Sequence, residues 1–141
     1  MMGVLTKSLK SNHIEYDKSW SKTIYCITPS CLITGVIAGY LGQYDTAIAE
    51  VAVFISSILH WSSPKPNWSL FRITDIIVVQ ASLAVHVYAI IDIWAIKALI
   101  FMGVSMICFG WSLYSNSYKH HVCGWIIACV SNLFLTYARY K

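Results

Sequence analysis

A few polar side chains in otherwise apolar segments have the types and the spacing of a hydrolytic metal site. Ser56 and His60 are four residues apart and therefore lie on one helical face, about a turn from each other. Asp75 begins a later apolar run, and His120 and His121 precede the last one. Neutral imidazoles bind zinc, and a carboxylate or a hydroxyl can position or deprotonate a water on the metal. The residues predict metal-assisted hydrolysis, with His60 and His120 or His121 as zinc ligands and Ser56 and Asp75 as catalytic groups.

The same side chains have a second interpretation, which requires no site. Histidines at the ends of membrane helices often lie near lipid headgroups, and Asp75 can pair locally with Arg72 or cap its own helix. Both interpretations place these residues at the ends of apolar helices.

The composition identifies lipid as the solvent of this chain. Of its 141 residues, 57% are hydrophobic and 11% are charged, against roughly 25% charged in a soluble domain. The mean hydropathy is +0.62, and a chain of this size cannot bury so much apolar side-chain surface in a core of its own. The net charge is +4, and the basic residues are concentrated near the N-terminus. This distribution does not indicate a nucleic-acid-binding surface. The five cysteines form no Cys-x-x-Cys pair, which argues against a disulfide framework or an all-cysteine zinc site.

Long apolar runs predict an all-α polytopic bundle with about five transmembrane helices. The predicted spans are residues 24–42, 46–61, 70–90, 93–114 and 122–138. Residues 1–22 are predicted to form a polar cytoplasmic tail, and residues 23–141 a single transmembrane domain. The stretch from Leu70 to Tyr114 is too long for one crossing, so we expect a turn at Ile91 and Asp92.

The distribution of Lys and Arg predicts the orientation. Basic residues of short loops stay on the cytoplasmic side, and seven of them fall on the side of the N-terminus against three on the other. The N-terminus is therefore predicted to be cytoplasmic and the C-terminus to lie on the opposite side. His60, Asp75, His120 and His121 then all lie at the cytoplasmic face.

The order of these residues resembles the CREST superfamily of membrane hydrolases, which includes alkaline ceramidases and the progestin and adipoQ receptors. The matching pattern is Ser-x-x-x-His at the end of one span (Ser56, His60), followed by Arg-x-x-Asp at the start of the next (Arg72, Asp75). In the family, one histidine of this motif and two of a late His-x-x-x-His bind zinc, while the serine and the aspartate serve the metal-bound water. The resemblance implies a zinc-dependent hydrolase of a lipid amide or ester.

The late motif of the family is incomplete in this chain. Residues 120–125 read His-His-Val-Cys-Gly-Trp, so Gly124 or Trp125 stands where the second histidine is expected. The family also typically has seven spans, whereas five are predicted here.

Two further interpretations stay open. The chain could be a non-catalytic structural or accessory subunit of a membrane complex, with a helix partner at the Gly-x-x-x-Gly of Gly35 and Gly39, although such faces most often pack within one bundle. It could also be a transport module that uses Glu50, His86 and Asp92 as a polar path. His86 lies about 16 Å along the helix axis from Asp75 and cannot share a metal with His60.

Overall fold

Each predicted span overlaps a helix. The computed structural model describes residues 18–62, 69–115 and 118–141, and this part of the chain forms helices and no strand. The helices are α1 (Lys18–Ile27), α2 (Pro29–Tyr40), α3 (Tyr44–Trp61), α4 (Leu70–Asp92), α5 (Ile96–Ser115) and α6 (Tyr118–Tyr140). The all-α prediction is confirmed. The predicted tail lies largely outside the described residues.

Helices α1 and α2 together form the first predicted span. Thr28 between them keeps helical dihedral angles, and its hydroxyl donates to the Ile24 carbonyl at 2.8 Å. Pro29 begins α2, where a missing backbone N–H costs nothing because the first helical N–H groups have no partner within their own helix.

Two helices end in the same hydrogen-bonded reversal. After α2, Gly42 adopts a positive φ of 77°, and the N–H of Gln43 donates to the Ala38 carbonyl at 2.9 Å. After α4, Trp94 takes the corresponding left-handed position with a φ of 53°, and the N–H of Ala95 donates to the Ile90 carbonyl at 3.0 Å. Such a Schellman motif satisfies the last carbonyls of a helix and reverses the chain. The reversal therefore follows Asp92, one to three residues later than the turn expected from the sequence.

The helices pack as neighbours along the chain, α2 against α3, α3 against α4, and α5 against α6. Close approach depends on glycine at two of these contacts. A Cβ on Gly35 of α2 would lie 3.1 Å from the Cβ of Glu50 in α3, and a Cβ on Gly124 of α6 would lie 3.1 Å from the Ser105 carbonyl in α5. Gly39 also faces α3, so the Gly-x-x-x-Gly face is used within the chain. By contrast, α4 touches α5 and α6 only sparingly.

The bundle is compatible with a membrane. Residues 21–40, 70–92 and 119–140 are long and apolar enough to cross a bilayer, and residues 96–112 form a shorter apolar helix. Large apolar side chains such as Ile33, Ile77 and Ile107 project from these helices with more than half of their surface exposed. Helix α3 falls outside this group because it carries several polar residues that face the inside of the bundle. The number of crossings and their direction remain predictions.

Candidate functional site

A cavity of about 430 Å³ separates α3 and α4 from α5 and α6. Its volume lies in the range of small-molecule sites, and its walls between the polar groups are formed by apolar side chains such as Val79, Leu83, Met106 and Phe109. Polar side chains line it at two levels. We call these levels the His60 end (His60, Asp75, His121) and the Glu50 end (Glu50, His86, Asn132). At 1.5 Å per residue, the two ends are about 15 to 16 Å apart along the helices.

Asp75 is held at the His60 end by two serines of α3. The Ser56 and Ser57 hydroxyls both donate to Asp75 Oδ1, at 2.9 Å and 2.6 Å. Both serines are buried, and these bonds fix the orientation of the carboxylate. Ser56 was expected to serve His60 or its water, and it contacts the aspartate instead. Ser57 was missed by sequence reasoning, because its role depends on how α3 and α4 pack.

The two imidazoles at this end are framed by aromatic rings. Trp61 lies edge-on to both His60 and His121, with ring centroids 4.6 Å and 6.0 Å away. Phe109 contacts His121 on another side, with the ring centroids 5.0 Å apart. Arg72 also lines the cavity here. The structure therefore brings His60, Asp75 and His121 to one end of one cavity.

His120 lies apart from them. Its Nδ1 is 3.4 Å from the Ser115 hydroxyl, its ring lies edge-on to Trp111, and it does not line the cavity. Adjacent residues of a helix point about 100° apart, so His120 and His121 cannot both face one site. Within residues 18–62, 69–115 and 118–141, no three His, Cys, Asp or Glu side chains are gathered closely enough to hold a metal ion.

The packing of α6 gives Gly124 and Trp125 structural roles. Gly124 lies where α5 passes so closely that a Cβ would also come within 3.2 Å of the Cys108 Cβ. Trp125 is buried, and its indole N–H donates to the Ser30 hydroxyl of α2 at 3.1 Å. Position 124 therefore leaves no room for a side chain, and position 125 is taken by an indole that packs and donates a hydrogen bond inside the bundle.

The Glu50 end was not predicted as a cluster. His86 Nε2 lies 3.1 Å from Glu50 Oε1, and both side chains are at least 96% buried. The Thr34 hydroxyl donates to Glu50 Oε2 at 3.0 Å, and the amide of Asn132 donates to Oε1. Asp92, the third member of the polar path considered from the sequence, is exposed at the end of α4.

The contacts of His86 determine which of its ring nitrogens carries a hydrogen. Its Nδ1 lies 2.7 Å from the Ser82 carbonyl, which can only accept, so Nδ1 carries a hydrogen. Nε2 then faces Glu50 Oε1 at 3.1 Å without meeting hydrogen-bond geometry.

A sequence signal for both ends exists in the spacing of polar residues. Asp75 and His86 are eleven residues apart on α4, and His121 and Asn132 are eleven apart on α6. Eleven residues complete about three helical turns, so each pair shares one face. Two helices with the same polar spacing indicate two levels of polar contact.

Comparison with protein-family models, with curated proteins and with solved structures finds no significant match to this chain.

Proposed function

We propose that this chain is a small multi-pass membrane hydrolase that cleaves an amide or an ester of a lipid at the His60 end. The observation that supports this proposal is the convergence of His60, Asp75 and His121, from three helices, on one end of a cavity with apolar walls. The apolar walls suit an acyl chain, and the polar end suits the amide or ester group to which the chain is attached.

The two histidines at this end are the zinc ligands of this proposal, and the described residues supply no third side chain close enough to join them. Imidazole nitrogens and carboxylate oxygens are usual zinc ligands, and His60 and His121 are the two residues that would hold the ion. A bound zinc ion supplies Lewis acidity and lowers the pKa of a water molecule. Asp75, oriented by Ser56 and Ser57, would accept a proton from the attacking water. His120 has no part in this arrangement.

The sparse contact between α4 and α5 gives the lipid a lateral route. Ile76 and Val79 of α4 face Met106 and Phe109 of α5 across the cavity, and these two helices touch at few places. An acyl chain can therefore pass between them from the bilayer. Its polar group would then reach Asp75 without crossing the bundle.

The test combines metal analysis with an activity assay on the purified chain. Bound zinc is measured by elemental analysis, and fatty acid release is measured with an N-acyl sphingoid base and with a diacylglycerol in lipid vesicles. We expect His60→Ala and His121→Ala to lose both zinc and activity. Asp75→Asn should keep the zinc and lose activity by about 10²- to 10⁴-fold.

The matched control is His120→Ala, which changes the neighbouring histidine outside the cavity. This variant should keep both zinc and activity. A wild-type chain that binds no zinc and releases no fatty acid from either lipid would refute the proposal. It would leave the accessory-subunit interpretation, in which the cavity has no catalytic role.

A further inference from the structure

The cavity is open toward the His60 end and closed toward the Glu50 end. Nearer the His60 end, Ile76 of α4 and Met106 of α5 line it and are each 42% exposed. At the other end, the reversal at Trp94 joins α4 to α5, and a buried apolar cluster fills the space between these helices and α6. We call it the floor cluster, and its members, which are at most 7% exposed, are Ala89, Ile90, Ala98, Met102 and Leu135. Met102 also lines the cavity, so the cavity ends at this cluster.

The polar groups beside the floor cluster offer almost no surface to a ligand. Glu50 and His86 are 3% and 2% exposed, and the Asn132 Oδ1 and His86 Nε2 atoms are inaccessible. A ligand that reaches this depth meets apolar side chains such as Val53 and Leu83. Burying a polar group without a hydrogen-bond partner costs free energy, so this end of the cavity suits the methyl end of an alkyl chain.

The distance between the two ends of the cavity sets a chain length. The ends are about 15 to 16 Å apart along the helices. The terminal methyl group needs about 2 Å of this distance for its own contact radius. A straight alkyl chain with carbon–carbon bonds of about 1.5 Å advances about 1.25 Å per bond. About eleven bonds therefore fit between a carbonyl at the His60 end and the floor cluster, which corresponds to an acyl chain of about twelve carbons.

We propose that the cavity selects lipids whose straight acyl chain has at most about twelve carbons, with the carbonyl at the His60 end and the methyl end on the floor cluster. This selectivity rests on the proposed function, which brings the amide or ester group to Asp75. A longer chain meets Met102 before its carbonyl reaches the level of Asp75, so the carbonyl is displaced or the chain has to buckle. Overpacking of this kind weakens binding by about tenfold or more.

The first test measures binding without turnover. Methyl ketones with acyl parts of eight, twelve and sixteen carbons carry the carbonyl but cannot be hydrolysed. Each is offered to the wild-type chain in lipid nanodiscs at the same mole fraction in the lipid, with empty nanodiscs as the background. We expect the twelve-carbon ketone to bind at least about tenfold more tightly than the sixteen-carbon ketone.

A fourth probe tests the apolar end of the cavity. It is the twelve-carbon ketone with a hydroxyl on its last carbon, which would lie at the floor cluster without a hydrogen-bond partner. We expect it to bind about tenfold more weakly than the unmodified ketone. Equal binding of the twelve- and sixteen-carbon ketones, or no loss with the hydroxyl, would overturn the proposal.

Two substitutions should move the length limit in opposite directions. Met102→Ala removes three heavy atoms from the floor cluster and should raise the limit by about three carbons. Ala128→Leu adds three carbons to a residue that lines the cavity between its two ends. It should weaken the twelve-carbon ketone by about tenfold and leave the eight-carbon ketone within about threefold of its wild-type affinity.

The matched control is Ala84→Leu, which makes the same change at an exposed residue of α4 outside the cavity. This variant should bind all the ketones as the wild type does. An unchanged limit in both Met102→Ala and Ala128→Leu would refute the proposal, and the wild-type series tests it even where a variant fails to fold.

The chain-length limit and the proposed hydrolysis fail in different experiments. Equally fast release of fatty acid from twelve- and sixteen-carbon acyl amides would overturn the limit and leave the hydrolase in place. The expected limit for the ketones in a chain that releases no fatty acid would support the cavity as a site for an acyl chain and refute the hydrolase.

Discussion

Replacing Gly35 with alanine tests the close packing of α2 on α3. The new Cβ would lie 3.1 Å from the Cβ of Glu50, 3.3 Å from the Ala47 carbonyl oxygen and 3.4 Å from Cγ2 of Val51. The carbonyl belongs to the backbone of α3 and cannot turn away. Glu50 cannot retreat either, because its carboxylate is held from α2, α4 and α6. The two helices must therefore separate by a few tenths of an ångström.

The expected loss of stability follows from two opposing effects. Overpacking a tight contact costs about 1 to 3 kcal/mol. The higher helix propensity of alanine returns up to about 1 kcal/mol, and less where the unfolded chain stays helical in detergent. We therefore expect Gly35→Ala to lower the free energy of unfolding by about 1 to 2 kcal/mol. The measurement is unfolding by sodium dodecyl sulfate in mixed micelles, followed by tryptophan fluorescence and circular dichroism.

Two other glycines provide matched controls. A Cβ on Gly39 would lie 3.6 Å from the Cβ of Ala47, which is an ordinary contact, and a Cβ on Gly103 would meet no atom within 4 Å. Alanine at either position should leave the stability unchanged or raise it by up to about 1 kcal/mol. Equal stability of Gly35→Ala and Gly39→Ala would refute the argument from close packing.

Three more predictions test other parts of the structure. Ser57→Ala removes a hydrogen bond of 2.6 Å to the Asp75 carboxylate and should cost about 1.5 to 3 kcal/mol in detergent unfolding. Asp45, before the predicted span 46–61, accepts two hydrogen bonds from Arg139, and this contact lowers the pKa of the carboxyl below its ordinary value of 3.8. The pair therefore stabilises the fold at pH values above 3.8, and this stabilisation is lost as the pH falls through the lowered pKa of Asp45. Asp45→Asn should lower the free energy of unfolding by at most about 1 kcal/mol at pH 7 and should have no effect in strong acid. Ile107 lies in the middle of α5 and is 70% exposed. Ile107→Lys places a charge at this position and should make the free energy of membrane insertion less favourable by about 2.5 to 3.5 kcal/mol.

Each of these three predictions can be contradicted by a specific result. Ser112→Ala, which removes a bond to a carbonyl of the same helix, is the control for Ser57, and equal losses would deny a special role for the carboxylate. A constant difference between wild type and Asp45→Asn from neutral to strongly acidic pH would contradict the ion pair. Tyr114→Lys, at the end of α5, should insert normally because a lysine there reaches the headgroups. Normal insertion of Ile107→Lys would mean that this face of α5 does not meet lipid.

The sequence predicts where the helices of this chain lie much better than which face of each helix points into the bundle. Long apolar runs are enough to place helices, and a charge-poor stretch that is too long for one crossing has to turn. The turn lies one to three residues later than expected because Trp94, a residue that rarely adopts a positive φ, takes the place usually given to glycine.

In a membrane, the spacing of apolar residues does not predict which face of each helix points into the bundle. Lipid and bundle interior are both apolar, so the side that faces the protein carries no hydrophobic signature. For this reason the contact between Glu50 and His86 could not be predicted, although each residue was recognised as costly in a bilayer. The spacing of polar residues is more informative, and it places His121 and Asn132 on one face of α6. Because adjacent residues of a helix point in different directions, only one of His120 and His121 can face inward. The packing of α6 determines that this residue is His121.

The sparse contact between α4 and the last two helices has a consequence for how this protein is made. Helices α1 to α4 emerge from the ribosome before the α5–α6 hairpin, and the polar residues of α3 and α4 then have no partner from α6. The cavity comes into existence only when the hairpin docks, with the amide of Asn132 reaching Glu50 and the indole of Trp125 reaching Ser30. With the hairpin undocked, Glu50 and His86 lack their partner from α6, and an ionisable group left without a partner in a bilayer is costly.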